Sequence, residues 1–289
     1  MPRLLKPFAY LGPKTVREAL QIISEYGRKA EVLAGGTDLV ISMKKRQINP
    51  QYIVNIKDIP DLDYIRYSRE AGLKIGALAT HSAIANSPII KDMFNPLAVA
   101  CNKVGTPQVR NMATIGGNVC KAGPSQDTPP VLLVLDARLK LVTLSGDRVV
   151  PIDKFFLGPF KTVLQEAELL TEIQIPTPPP RSAGCYKWCT KAVTVDETLV
   201  GVAVLMSLDS PGGVCSDIKI ALGSVAPTPI RARKAEEVFR GKKVNDRLIE
   251  QAAQVAAEET RPRSRADYRR RMSRVLVSEA ITEAWQTIR

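Results

Sequence analysis

The chain has 289 residues, of which 45% are hydrophobic, 24% charged and only 5% aromatic. This is enough apolar material for one large or two ordinary cores, and too few rings for a base-stacking nucleic-acid surface. The 41 Lys and Arg outnumber the 29 Asp and Glu to give a net charge of +12, which suits anionic cofactors or acidic protein partners.

No apolar run reaches the length of a membrane span, and the N-terminus lacks the apolar core and small-residue site of a signal peptide. A soluble, cytoplasmic protein is expected. Cys101, Cys120, Cys185, Cys189 and Cys215 show no Cys-x-x-Cys spacing, and the Cys185/Cys189 pair alone is a weak metal signal. His81 is the single histidine, which excludes a His-rich metal site; at a helix start it is expected to cap or to lie on the polar surface. Arg261, Arg263, Arg265, Arg269, Arg270, Arg271 and Arg274 form a basic cluster. Without interleaved aromatics it is expected to be a solvated helix face or a protein interface rather than an RNA patch.

Residues 8–11 predict a short strand ended by Gly12-Pro13. Thr15 and Glu18 form a capping box for a helix with Val16, Ala19, Leu20 and Ile23 on one face, and Gly27 stops it. Residues 31–33 predict a strand that delivers the chain into Ala34-Gly35-Gly36-Thr37-Asp38-Leu39; Lys44, Lys45 and Arg46 beyond it are expected at the surface. The β-branched run 52–56 predicts a strand, and 64–67 with 73–75 predict a hairpin. Helices are predicted over 80–85 and 88–101. After a second glycine loop at 114–118 comes a buried helix over 129–135, then a hairpin over 138–144 and 148–150, and a strand over 169–175.

Pro176-Thr177-Pro178-Pro179-Pro180 marks the clearest boundary, an extended segment with few ladder donors. Beyond it, 183–190, 198–208 and 214–225 predict three longer strands. Helices follow over 231–240, 245–259 and 267–288, the last opened by Ser264-x-x-Asp267. Strands followed by helices predict an α+β domain with helices on one face of a three-stranded antiparallel sheet. The expected division is a first domain over 1–176, with subdomains of about 1–57 and 58–176, a linker over 177–182 and a second domain over 183–289.

The Gly-x-Gly-x-x-Gly, Gly-x-x-x-x-Gly-Lys-Ser/Thr and Gly-x-Ser-x-Gly signatures are absent. What stands out is a pair of double-glycine segments, each flanked by Thr. Each is expected to offer consecutive backbone donors and a hydroxyl to a pyrophosphate, and Asp127 or Asp38 could accept from ribose hydroxyls. A lone Gly-Gly serves a turn or bulge equally well. As a pair they point to a dinucleotide or phosphate site in the first domain.

The segments Ala-Gly-Gly-Thr-Asp-Leu (34–39), Gln-Val-Arg-Asn-Met-Ala-Thr-Ile-Gly-Gly-Asn (108–118) and Ser-Gln-Asp-Thr-Pro-Pro (125–130) resemble the FAD-binding medium subunit of the molybdenum hydroxylases. That family includes aerobic carbon monoxide dehydrogenases and xanthine dehydrogenase. Ala-Leu-Gly-Ser-Val-Ala-Pro-Thr-Pro-Ile-Arg-Ala (221–232) and Asp-Tyr-Arg-Arg (267–270) resemble its C-terminal signature. The resemblance implies a two-part FAD-binding domain of the vanillyl-alcohol-oxidase (PCMH) type, followed by a small α+β domain.

It implies pyrophosphate contacts from Val32, Leu33, Ala34, Gly35, Gly36, Thr37, Asp38 and Leu39, and from Thr114, Ile115, Gly116, Gly117 and Asn118. Asp127 matches the acid near the adenosine ribose, Leu170 and Lys187 match positions near the flavin ring, and Val104 matches a position before the second loop. Lys187 would stabilise negative charge on reduced flavin, or is a surface lysine.

No side chain is expected to act as a catalytic acid or base. The resemblance implies a molybdopterin large subunit and a 2Fe–2S small subunit as partners, in a heterotrimer or a dimer of heterotrimers. FAD on this chain would pass their electrons to an external acceptor, and the basic surplus would be a docking surface. Two other readings stand beside it: a stand-alone FAD-dependent oxidoreductase, and a non-enzymatic basic module binding nucleic acid or protein. The sequence departs from the family pattern at Asp196-Glu197, where apolar residues are usual. It also lacks the cysteine-rich insert of the 4-hydroxybenzoyl-CoA reductases before Asp127. No 4Fe–4S cluster is therefore expected, and Cys120 is read as a packing residue.

Overall fold

Short strands alternate with helices at the start of the chain, and a parallel sheet is the result. In the computed structural model, which describes residues 4–192 and 196–289, β1 (Ala9–Leu11), α1 (Val16–Tyr26), β2 (Ala30–Leu33), α2 (Leu39–Lys44) and β3 (Tyr52–Asn55) follow one another. The strands lie in the order β1-β3-β2, both pairings parallel. Helix α1 buries Ala19, Leu20 and Ile23 in a core with Val54 and Ile56. Thr15 Oγ1 caps it, accepting from the Glu18 N–H at 3.1 Å. The Glu18 carboxylate returns to the N–H of Lys14 (2.8 Å) rather than to that of Thr15, so the expected box closes one residue early.

A five-stranded antiparallel sheet follows. Strands β4 (Ile65–Ser68) and β5 (Gly72–Gly76) form the first hairpin. Six short helices come next: α3 (His81–Asn86), α4 (Pro88–Met93), α5 (Asn95–Lys103), α6 (Pro107–Met112), α7 (Ile115–Lys121) and α8 (Thr128–Val134). Then come β6 (Arg138–Thr143), β7 (Gly146–Pro151), the small hairpin β8 (Phe156–Gly158) and β9 (Lys161–Thr162), and β10 (Leu169–Ile175), giving the order β4-β5-β10-β6-β7. Two expectations change here. The helix predicted over 88–101 breaks at Phe94 (φ −132°, ψ 37°), because Pro96 has no N–H to donate back to the preceding turn and is accommodated only in the first turn of a new helix. The second glycine loop is not a loop: Gly116 and Gly117 sit in the first turn of α7.

After a segment without helix or strand, β11 (Ser182–Cys189), β12 (Val200–Leu208), β13 (Cys215–Gly223) and β14 (Ile230–Arg231) make a sheet in that order, followed by α9 (Arg233–Glu237), α10 (Asp246–Glu258) and α11 (Ala266–Ile288). The two-residue β14 extends the three predicted strands to four and takes the start of the helix predicted over 231–240. The long last helix opens at Arg265 in the left-handed region (φ 50°) with no side-chain cap, so Ser264 does not serve as one. The helices do not cover the sheet alone. Along β12, Val202, Val204 and Met206 face the core shared with α10 and α11, while Ala203 and Leu205 face the core shared with α5 and α8. The sheet is sandwiched, and its second face docks the C-terminal part onto α5 and α8.

That docking is also polar. Arg231 grips Glu236 with two hydrogen bonds (2.6 and 2.9 Å) and reaches Asp136 at 3.5 Å, and Lys219 pairs with the same Asp136. Among the described residues, no helix is long and apolar enough to cross a membrane.

Candidate cofactor site

The two glycine segments meet. A Cβ on Gly35 would lie 2.3 Å from the Met112 carbonyl oxygen and 2.8 Å from Ala113 Cα, so only glycine lets the Ala34–Gly35 backbone rest against the residues leading into α7. Gly36, at φ +76°, turns the chain away in a conformation that side chains disfavour. On the other side, a Cβ on Gly116 would lie 2.6 Å from the Ala77 carbonyl oxygen. The outward Cα of Gly117 instead faces Ala34, with 3.8 Å from its ideal Cβ to that of Ala34.

Their donors differ, which corrects the expectation that both segments offer free amides. The N–H groups of Ile115 and Gly116 donate to Ala79 and Ala77 (both 3.0 Å), and those of Gly117 and Asn118 donate to the Thr114 hydroxyl (3.1 Å) and carbonyl (2.9 Å). Among the described residues, the N–H groups of Gly35, Gly36, Thr37 and Asp38 have no protein acceptor. Unpaired backbone donors of this kind await water or an anion. Val32 and Leu33 end β2 and Leu39 begins α2, so the loop is anchored at both ends. The Asp38 carboxylate caps nothing.

Asp127 lies at the head of α8 and is buried. Its Oδ1 accepts from Tyr186 Oη (2.8 Å) and Thr198 Oγ1 (2.6 Å), both in the C-terminal part. Burial raises its pKa, the two hydroxyls opposing the shift. Next to it, Asn118 is fixed by Thr128, whose hydroxyl donates to Oδ1 (2.6 Å), and by Gln126, whose amide donates to the carbonyl (2.6 Å). The buried side-chain atoms without partners among the described residues are His81 Nε2, Gln126 Oε1, Ser224 Oγ and Arg269 Nε.

Lys187 is neither free nor on the Asp127 side. Its ammonium pairs with Glu283 of α11 at 2.5 Å, and the thiol of Cys185 donates to the same carboxylate at 3.1 Å. Hydrogen bonding to Glu283 raises the Lys187 pKa, and the lysine in turn lowers that of Glu283. The pair lines a cavity of about 350 Å³ around the edge strand β11, together with Asn95, Val99, Tyr186 and Trp188. Leu170 is a core residue at a bulge of β10: the register with β6 slips between Leu170 and Glu172, and the carbonyl of Thr171 between them accepts from Ala77. Val104 ends α5, its carbonyl held by Arg110 at 3.1 Å.

His81 was misjudged from sequence. Thr80 is the cap of α3; His81 is fully buried, with Nδ1 3.5 Å from Cys101 Sγ, and burial pushes its pKa down to about 4. Arg269 also leaves the solvated cluster, donating to the carbonyls of Leu199 (2.7 Å) and Ser224. Of the loop after Lys187, residues 193–195 lie outside the described residues. Asp196 closes that loop locally, accepting from the N–H groups of Lys191, Ala192 and Glu197.

Two glycine segments set edge to edge, the first with spare amides, form a cradle of the kind that suits a dinucleotide cofactor. Residues 6–178 match the family described as the FAD binding domain in molybdopterin dehydrogenase, and residues 185–284 match the CO dehydrogenase flavoprotein C-terminal domain. The chain belongs to this family of FAD-binding subunits of molybdenum-containing oxidoreductases. It is 34% identical to the carbon monoxide dehydrogenase medium chain of Hydrogenophaga pseudoflava, over 96% of this chain and 97% of that one. It is 35% identical to the glyceraldehyde dehydrogenase medium chain of Sulfolobus acidocaldarius, over 96% and 98%. The solved carbon monoxide dehydrogenase of H. pseudoflava superposes with a TM-score of 0.94 at 34% identity, covering 99% of this chain and 100% of that one.

Proposed function

We propose that this chain holds FAD between residues 32–39 and 114–118. In this reading the spare amides of Gly35, Gly36, Thr37 and Asp38 take the pyrophosphate, and Gly117 gives it an open surface. The observation that carries this is the contact of Gly35 with Met112 and Ala113, which sets the unpaired amides beside α7. Asp127 would face the ribose, with Leu170 and Lys187 toward the flavin end and Val104 beside them. Lys187, held charged by Glu283, suits a region where negative charge develops. Bound FAD supplies the exchange between single electrons and electron pairs; the chain binds and orients it.

Electrons would arrive from a 2Fe–2S partner subunit, fed by a molybdopterin large subunit, and leave to an external acceptor. The assembly would be a heterotrimer or a dimer of heterotrimers in the cytoplasm. Within the chain, residues 1–176 would form the FAD domain, with subdomains of about 1–57 and 58–176, 177–182 the linker, and 183–289 the C-terminal domain. Titrating the full chain with FAD tests the core of this. The expected result is a stoichiometric flavin spectrum and a raised thermal midpoint. A chain that neither retains nor takes up FAD would refute it.

A further inference from the structure

Asp127 is an unusual choice for a residue that only ties two parts of a chain together. It is 8% exposed, it makes no ion pair among the described residues, and burial of its charge is costly. An amide or hydroxyl would hold Tyr186 and Thr198 without that cost. Both hydroxyls converge on one oxygen, Oδ1. The other, Oδ2, has no donor among the described residues.

We propose that Tyr186 and Thr198 are positioning residues of the cofactor site, fixing the Asp127 carboxylate by Oδ1 so that Oδ2 is presented to the ribose hydroxyls. The inference rests on the reading that Asp127 faces the ribose. It makes cofactor retention depend on the docked C-terminal sheet, because Tyr186 projects from β11 and Thr198 precedes β12. The carboxylate must be ionised to accept two hydroxyls and a ligand together. The groups acting on it are Tyr186 and Thr198 from the C-terminal side and, from α5, Lys103 and Cys101. Burial holds Tyr186 protonated far above neutrality, so it remains a donor at working pH. Removing either hydroxyl takes away a group that keeps Asp127 ionised, so FAD release on acidification should begin at a higher pH.

The test is FAD affinity of the full chain, measured against pH for Asp127→Asn, Tyr186→Phe, Thr198→Val and Thr198→Ser, and for the first two combined. Tyr186→Phe and Thr198→Val should each weaken FAD binding about tenfold, with the acid limb moved upward. Thr198→Ser should restore native binding. In the Asp127→Asn background, Tyr186→Phe should add less than about twofold, since its effect runs through that carboxylate. Additive losses in that background would overturn the proposal. If Asp127→Asn weakens FAD while Tyr186→Phe and Thr198→Val bind it natively, the positioning role alone fails. If Asp127→Asn binds FAD natively, the ribose reading fails with it. Should Tyr186→Phe not fold, the Thr198→Val and Thr198→Ser pair decides by the same criteria.

Discussion

Gly117→Ala separates the fold from the cofactor. Gly117 is exposed, the third residue of α7, and its added methyl would meet only Thr114 Oγ1 at 3.0 Å and Ala34 Cβ at 3.8 Å. Alanine gains up to about 1 kcal/mol of helix propensity over glycine. The tight contact with the capping hydroxyl offsets part of this. The apo chain should therefore keep its stability within about 0.5 kcal/mol. The same methyl projects toward Ala34, onto the surface assigned to the pyrophosphate. Overfilling a close-fitting contact by one methyl costs about 2 kcal/mol, or about 30-fold in the FAD dissociation constant. Thermal unfolding of the apo chain and flavin titration of the same preparation read the two effects separately. An unchanged midpoint with native FAD affinity would show that the pyrophosphate does not lie there.

Gly35→Ala differs in kind: its methyl meets the Met112 carbonyl at 2.3 Å, so the loop must move by about 1 Å, and both apo stability (by about 1–3 kcal/mol) and FAD binding should fall. Arg231→Met should cost about 3 kcal/mol in denaturant unfolding, because Glu236 stays largely buried with only the Ile220 N–H as donor; Arg240→Ala, at an exposed pair with Glu237, should change little. His81 has its pKa depressed from 6.5 to about 4 by burial, so the unfolded chain binds the extra proton between those values. Its contribution is fully present above pH 6.5 and is lost as pH falls toward 4, amounting to at most about 3 kcal/mol. His81→Leu should remove that slope from a series of unfolding curves; an unchanged slope would place the acid sensitivity elsewhere.

Much of the fold was legible because local pattern and tertiary demand agreed. The capping hydroxyl of Thr15 and the apolar runs of β10, β12 and β13 read directly. What failed needed knowledge of a neighbour. Val200–Leu208 is apolar at almost every position, the mark of a strand covered on both faces, but nothing local says that α5 and α8 are the second cover. Gly116 and Gly117 read as a loop because glycine is a poor helix former. Their use in α7 follows from Ala77, some 40 residues earlier in sequence, which leaves no room for a side chain at Gly116.

The site shows the same division more sharply at Tyr186-Lys187. As a dipeptide they suggest one contact with one ligand. On a strand, successive side chains point to opposite faces, and β11 obeys this. Gly184, Tyr186 and Trp188 turn toward α5 and Asp127: a Cβ on Gly184 would meet Pro96 at 2.7 Å, and the Tyr186 and Trp188 rings stack at 5.7 Å. Cys185 and Lys187 turn toward α11 and share Glu283. The tyrosine therefore reaches Asp127 on the α5 face, whereas the lysine pairs with Glu283 on the α11 face, and the cavity at the sheet edge touches both. The two substitutions should separate accordingly. Tyr186→Phe should change how tightly FAD is held. Lys187→Met should leave Glu283 without its cation and alter the cavity, so its effect should appear in the flavin's reduction potential before it appears in affinity. Equal losses of affinity from both, with no change in potential, would mean that the pleat does not separate their roles.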